Sequence, residues 1–120
     1  MGKKKILVVD DEPSLVEMLK MRLELNDFNV VTASDGQEGM LKAKSEKPDL
    51  ILLDILMPNM DGYSFVREIK ADESLRNTNV IVLTAKAGMK DLFAIEGIKH
   101  YVEKPFEYSD LLAKINSLLG

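Results

Sequence analysis

The chain has 120 residues, 46% of them hydrophobic and 30% charged, which fits one globular domain over residues 1–120 with a core of its own. A formal net charge of -4 leaves no positive field for nucleic acid or an anionic membrane, so direct binding to either is not expected. The absence of cysteine rules out a disulfide framework and thiolate metal ligands, and suits a reducing compartment, here expected to be the cytoplasm. No apolar run approaches membrane-spanning length. Met1-Gly2 and the three lysines after it lack the apolar stretch of a signal peptide, and Ile6 replaces the Ser/Thr of a myristoylation site.

In chain order, Lys4-Lys5-Ile6-Leu7-Val8-Val9-Asp10-Asp11 is an apolar, β-branched run that ends in two carboxylates. Unbroken apolar runs fit strands covered on both faces, as in a parallel sheet between helices. Pro13 and Ser14 open a helix through about Asn26, with Leu15, Met18, Leu19 and Leu23 as one apolar stripe. Asn29 to Ala33 is a short strand. Asp35-Gly36-Gln37-Glu38 has capping-box spacing and starts a second helix that reaches about Lys44, before Pro48. Leu50-Ile51-Leu52-Leu53-Asp54 repeats the first strand's design, four apolar residues running into a carboxylate.

Asp61-Gly62 is expected to cap a third helix, Tyr63 to about Ala71, with Phe65, Val66 and Ile69 facing inward, closed by a polar loop from Asp72 to Asn77. Val80-Ile81-Val82-Leu83-Thr84 is another apolar run, ending in a hydroxyl. A short helix is expected around Asp91 to Glu96. Lys99 to Lys104 then reads as an edge strand, because edges tolerate charge. A last helix, Tyr108 to Leu119, carries Leu111, Leu112, Ile115, Leu118 and Leu119 at helical spacing.

Five β-α units joined by right-handed crossovers predict an α/β fold, a three-layer, doubly wound, five-stranded parallel sheet. Ligands bind such sheets outside the carboxyl ends of the strands, where this chain would gather Asp10, Asp11, Asp54, Thr84 and Lys104. Crowded carboxylates repel unless a cation sits between them, and an all-oxygen site with few protein ligands suits Mg²⁺. With Lys104 as a compact positive charge and Thr84 as a hydroxyl donor, the set could bind a phosphoryl group, with an aspartate as nucleophile. Singly, each residue has an ordinary reading: Asp10 and Asp11 as helix caps, Lys104 as an edge-strand lysine, Thr84 and Tyr101 as packing. Their convergence on one edge favours the joint reading. His100 is the single histidine and reads as a surface residue, so a phosphodonor histidine would belong to another protein.

Val8-Val9-Asp10-Asp11-Glu12-Pro13, Leu53-Asp54-Ile55-Leu56-Met57-Pro58-Asn59-Met60-Asp61-Gly62, Val82-Leu83-Thr84-Ala85 and Tyr101-Val102-Glu103-Lys104-Pro105-Phe106 together resemble the receiver domain of two-component response regulators over essentially the whole chain. The resemblance implies the flavodoxin-like strand order 2-1-3-4-5. It implies Asp54 as the acceptor of a phosphoryl group from a histidine kinase or histidine phosphotransfer protein, and Asp10, Asp11, Asp54 and the Leu56 carbonyl as Mg²⁺ ligands. Lys104 would contact the phosphoryl oxygens, and the Lys104-Pro105 bond would be cis. Thr84 and Tyr101 would form a switch pair acting on an output face of the last helix, the edge strand and the short helix before it, where a downstream effector binds. Leu56 and Lys86 flank the phosphoryl position and would set its lifetime. The interval from Thr84 to Lys104 is a little shorter than in most receivers, which shortens the helix after Thr84.

Two other functions use related sheets. A haloacid-dehalogenase-like, Mg²⁺-dependent phosphohydrolase also forms an aspartyl phosphate but wants Asp-x-Asp after the first strand, where this chain has Asp10-Asp11-Glu12. A flavin-binding electron carrier wants a hydroxyl- and glycine-rich phosphate loop there, and Glu12-Pro13-Ser14-Leu15 is acidic instead.

Overall fold

The computed structural model describes residues 3–54, 62–84 and 100–120. Five strands, β1 Lys5–Val9, β2 Asn29–Ala33, β3 Leu50–Asp54, β4 Asn79–Thr84 and β5 His100–Glu103, form one sheet. The helices among the described residues are α1 Pro13–Leu25, α2 Gly36–Glu46, α3 Gly62–Ala71 and α4 Tyr108–Leu119. All strand pairs are parallel, in the order β2-β1-β3-β4-β5, so the doubly wound sheet expected from the apolar runs is the one observed. The helix expected around Asp91 to Glu96 and the cap at Asp61 lie outside the described residues.

Strand alternation builds two cores, one on each face of the sheet. Leu7, Val9, Ile51, Leu53, Val80 and Val82 point to one face and are covered by Met40 and Ala43 of α2 and by Phe65, Val66 and Ile69 of α3. Ile6, Val8, Leu50, Leu52, Ile81 and Leu83 point to the other, covered by Leu19 and Leu23 of α1 and by Leu111 and Ile115 of α4. The strands read as unbroken apolar runs because both of their faces are buried. Leu15 and Met18, expected in the α1 stripe, are only partly buried. The loop after α3 is less polar than its composition suggests, for Leu75 enters the first core at 1% exposure.

Local signals fix the helix ends. Asp35 caps α2 by accepting from the Glu38 N–H at 2.8 Å. The reciprocal arm lands one residue earlier than a standard capping box, because Glu38 Oε1 accepts from the Ser34 N–H at 2.7 Å and the Ser34 hydroxyl at 3.0 Å. At the other end α2 runs on to Glu46, two residues past the expected Lys44. Lys47 then turns left-handed at φ 49, directly before Pro48, and Lys5 Nζ holds the Glu46 carboxylate at 2.8 Å. Inside α2, Gly39 allows close packing: a Cβ there would lie 2.9 Å from Phe65 Cε2 and 3.0 Å from Val9 Cγ1. α1 and α4 are joined by Tyr108, whose hydroxyl accepts from Asn26 Nδ2 at 3.2 Å and whose ring lies 5.0 Å from the Arg22 guanidinium.

Replacing Asp35 with Ala should remove the α2 cap and lower stability by about 1 kcal/mol, as cap deletions typically do. Urea denaturation followed by circular dichroism checks this, and the denaturant slope should stay unchanged.

Candidate functional site

Register places the site. Val9 of β1 pairs with Leu53 of β3, so Asp10 and Asp54, each one residue further, emerge level with one another. On the other side Asp54 pairs with Leu83 and Thr84 with Glu103, which brings Lys104 to the same edge. Asp11 follows where the chain leaves β1 for α1. Carboxylate oxygens of Asp10, Asp11 and Asp54 all lie within 4.8 Å of one another.

The three acids differ in exposure and partners. Asp10 is buried at 1% exposure, which a charged group tolerates only when it is answered on all sides. Its Oδ1 accepts from the Glu12 N–H at 2.9 Å, a local turn just before α1, and its Oδ2 accepts from Lys104 Nζ at 2.9 Å. Asp10 does not cap α1, whose N-cap is Glu12 with no side-chain cap hydrogen bond. Asp54 is partly buried, 3.6 Å from Lys104 Nζ. Asp11 is exposed, and of the three it is the most open to a cation from solvent.

Lys104 is a single ammonium between two carboxylates. Burial alone pulls its pKa down, but the hydrogen bond and charge of Asp10, then the charges of Asp54 and Glu12, outweigh this and leave it above the ordinary lysine value. The Lys104–Pro105 peptide bond is cis. Tyr101 is half-buried against the core that contains Val9, Leu53 and Phe65. Thr84 ends β4, but its side chain lies outside the described residues, as do Leu56 and Lys86. The structure therefore brings together Asp10, Asp11, Asp54 and Lys104. The pairing of Lys104 with Asp10 was not read from the sequence, and no local signal there marks it.

An acid cluster at the carboxyl edge of a five-stranded parallel sheet, with one ammonium among the acids, defines a flavodoxin-like α/β domain built to handle a phosphoryl group. The sequence model of the response regulator receiver domain matches residues 6–116. The chain belongs to the response regulator receiver family, the phosphoacceptor domains of two-component signalling. It is 40% identical over 118 residues to the alkaline phosphatase synthesis transcriptional regulatory protein PhoP of Bacillus subtilis, covering 97% of this chain and 48% of that one. The chain thus spans about half the length of the curated relatives it matches. Among solved structures, the chemotaxis response regulator CheY4 of Vibrio cholerae superposes with a TM-score of 0.92 at 29% identity, over 98% of this chain and 99% of that one. The response regulator TrrA of Thermotoga maritima, solved in complex with Mg²⁺-BeF, superposes with a TM-score of 0.86 at 35% identity, over 96% and 98%. The family match favours the receiver over the phosphohydrolase and the flavin carrier.

Two outcomes follow from the charge arrangement. In EDTA, Asp11→Asn and Asp54→Asn each remove a repelling charge and should melt a few degrees higher than wild type, about 1 kcal/mol, whereas Asp10→Asn loses the best partner of Lys104 and should melt lower. Differential scanning calorimetry of the three variants decides it. The second outcome concerns pH. A lysine whose folded pKa is raised contributes fully below its unfolded value of about 10.4 and loses that contribution as pH rises through the folded value. The stability difference between wild type and Lys104→Met should therefore hold from neutral pH to about pH 10 and shrink only above it, measurable by urea melts across that range.

Proposed function

We propose that Asp54 is the phosphoacceptor of this receiver and that its phosphodonor is the phosphohistidine of a histidine kinase or histidine phosphotransfer protein. The observation that carries this is the level emergence of Asp10 and Asp54 beside Lys104 at the carboxyl edge of the sheet. An Asp54 carboxylate oxygen attacks phosphorus and forms an acyl phosphate P–O bond. The P–N bond to the donor imidazole breaks, and the leaving nitrogen is protonated from solvent. The charge accumulating on the phosphoryl oxygens in the transition state is answered by Lys104, which is already protonated and within reach.

The donor set fits a hard divalent cation: three carboxylates from separate positions of one edge, close enough to share an ion, with exposed Asp11 giving access from solvent. Asp10, Asp11, Asp54 and the Leu56 carbonyl would hold Mg²⁺. When bound, it neutralises part of the charge shared by the acids and the incoming phosphoryl oxygens. Asp10, whose Oδ2 accepts from Lys104 Nζ at 2.9 Å, would then be answered by the ion as well as by the ammonium.

Thr84 and Tyr101 form the proposed switch pair. Their displacement would alter the face formed by α4, β5 and the segment before β5, and so the affinity for a downstream effector. Leu56 offers no hydrogen bond to an attacking water, and the Lys86 ammonium would pair with phosphoryl oxygens, so the acyl phosphate should be long-lived. The domain acts as a signalling module in the cytoplasm. Among the described residues no helix is long and apolar enough to cross a membrane.

Incubation with acetyl phosphate and Mg²⁺ should add one phosphoryl group to wild type by intact-protein mass spectrometry, and none to Asp54→Asn. Labelling of the variant at the wild-type rate would overturn the assignment. Mg²⁺ at ten times its dissociation constant should stabilise wild type by roughly 1.4 kcal/mol, and Asp11→Asn should lose most of this response. Wild type indifferent to Mg²⁺ would remove the metal site.

A further inference from the structure

Next to the acid cluster lies a hollow of about 290 Å³ between the start of α1 and the junction of β2 with α2. Its apolar lining comes from Pro13, Val16 and Ala33, and four acids line it as well: Asp10 and Asp11 of the cluster, Glu17 from α1 and Glu38 from α2. It is continuous with Asp10 and Asp11, so anything seated in it abuts the phosphoacceptor site. The two glutamates are not equivalent. Glu38 is held by Ser34 and lies 3.5 Å from Lys42, whereas Glu17 makes no ion pair among the described residues. The volume is at or below the small end of cavities that enclose drug-sized ligands, about 300 to 1,000 Å³, so the hollow suits one side chain better than a cofactor.

We propose that this hollow receives one arginine or lysine side chain of the protein that delivers the phosphoryl group. This rests on the phosphoacceptor reading above. The occupant follows from three features. Apolar surface next to an uncompensated carboxylate matches a long apolar stem with a cationic head. The acids at this edge give it a negative potential, which favours a positively charged partner surface during encounter. Asp10 and Asp11 line the hollow and also belong to the cluster that holds Asp54, so a donor whose histidine reaches Asp54 comes close to the hollow.

Glu17 and Val16 belong neither to the acid cluster nor to the reacting atoms, which makes them usable probes. Glu17→Lys reverses the charge and Val16→Phe fills the space without changing it; circular dichroism and melting curves establish that both fold. Acetyl phosphate should label Asp54 in both variants at the wild-type rate, because a small donor does not need the hollow. Transfer from a histidine-phosphorylated transmitter domain that labels wild type should fall about tenfold in each. Unchanged transfer from the protein donor, or equal losses with both donors, would overturn the proposal. In amide NMR titrations, butylguanidinium should shift Val16, Glu17 and Ser34 in wild type, and its neutral isostere butylurea should not. Equal shifts from both, or shifts that persist in Glu17→Lys, would also overturn it. If acetyl phosphate failed to label wild type, the phosphoacceptor reading would fall, and the butylguanidinium titration would still decide whether the hollow selects a cation.

Discussion

The site depends on one constraint: a parallel sheet in this register delivers carboxylates from β1 and β3 to the same level, where their charges repel. Val9 opposite Leu53 leaves no freedom in the matter, because both residues are completely buried and a slip of one position would turn each strand's apolar set to the wrong face. Hydrophobic packing therefore holds the acids together against their repulsion. What makes the arrangement tolerable is that Asp10, the most buried of them, is fully answered by a backbone N–H on one oxygen and an ammonium on the other. Asp54 shares the Lys104 ammonium at 3.6 Å, and exposed Asp11 is where solvent or a cation reaches the cluster most readily.

The two cores divide the work of positioning. The face under α2 and α3 fixes β1 relative to β3, with Gly39 letting α2 sit directly on Val9, the residue before Asp10. The face under α1 and α4 fixes the chain that follows Lys104, since Phe106 and Tyr108 both pack against it and Tyr108 is latched to Asn26 and Arg22. Lys104 is thereby anchored from one core and the acid before α1 from the other, and their ion pair bridges the two.

How much of this the sequence discloses depends on whether the signal is local. The apolar runs of β1, β3 and β4, the Pro13 start of α1 and the Asp35 cap of α2 are short-range patterns, and each appears in the structure where its residues place it. Helix ends are less legible, as the run of α2 to Glu46 shows, because the Lys5 contact that holds the last turn comes from a distant strand. Leu75 and Phe28 sit in segments whose composition reads as loop, and only the tertiary fold reveals them as buried. The Asn26–Tyr108 contact joins residues 82 apart with no repeated pattern between them. At the site, residue types and strand ends indicate which acids gather, but not that Asp10 is buried and Lys104 committed to it.

That commitment gives the proposed reaction its coupling. Lys104 has one ammonium and is set between Asp10 at 2.9 Å and Asp54 at 3.6 Å. A phosphoryl group on Asp54 would add further negative charge and three acceptor oxygens beside it. The ammonium cannot serve Asp10 and the new oxygens equally, and an unpaired buried carboxylate is costly, so a turn of Lys104 toward the phosphoryl group would be favoured by another positive charge taking its place on Asp10. A divalent ion shared by the acids would meet that need. Metal binding and phosphorylation would then favour one another through a single exchange of partners. Because Lys104 directly follows β5, the proposed exchange would pull on the edge strand and on the turn that leads into α4.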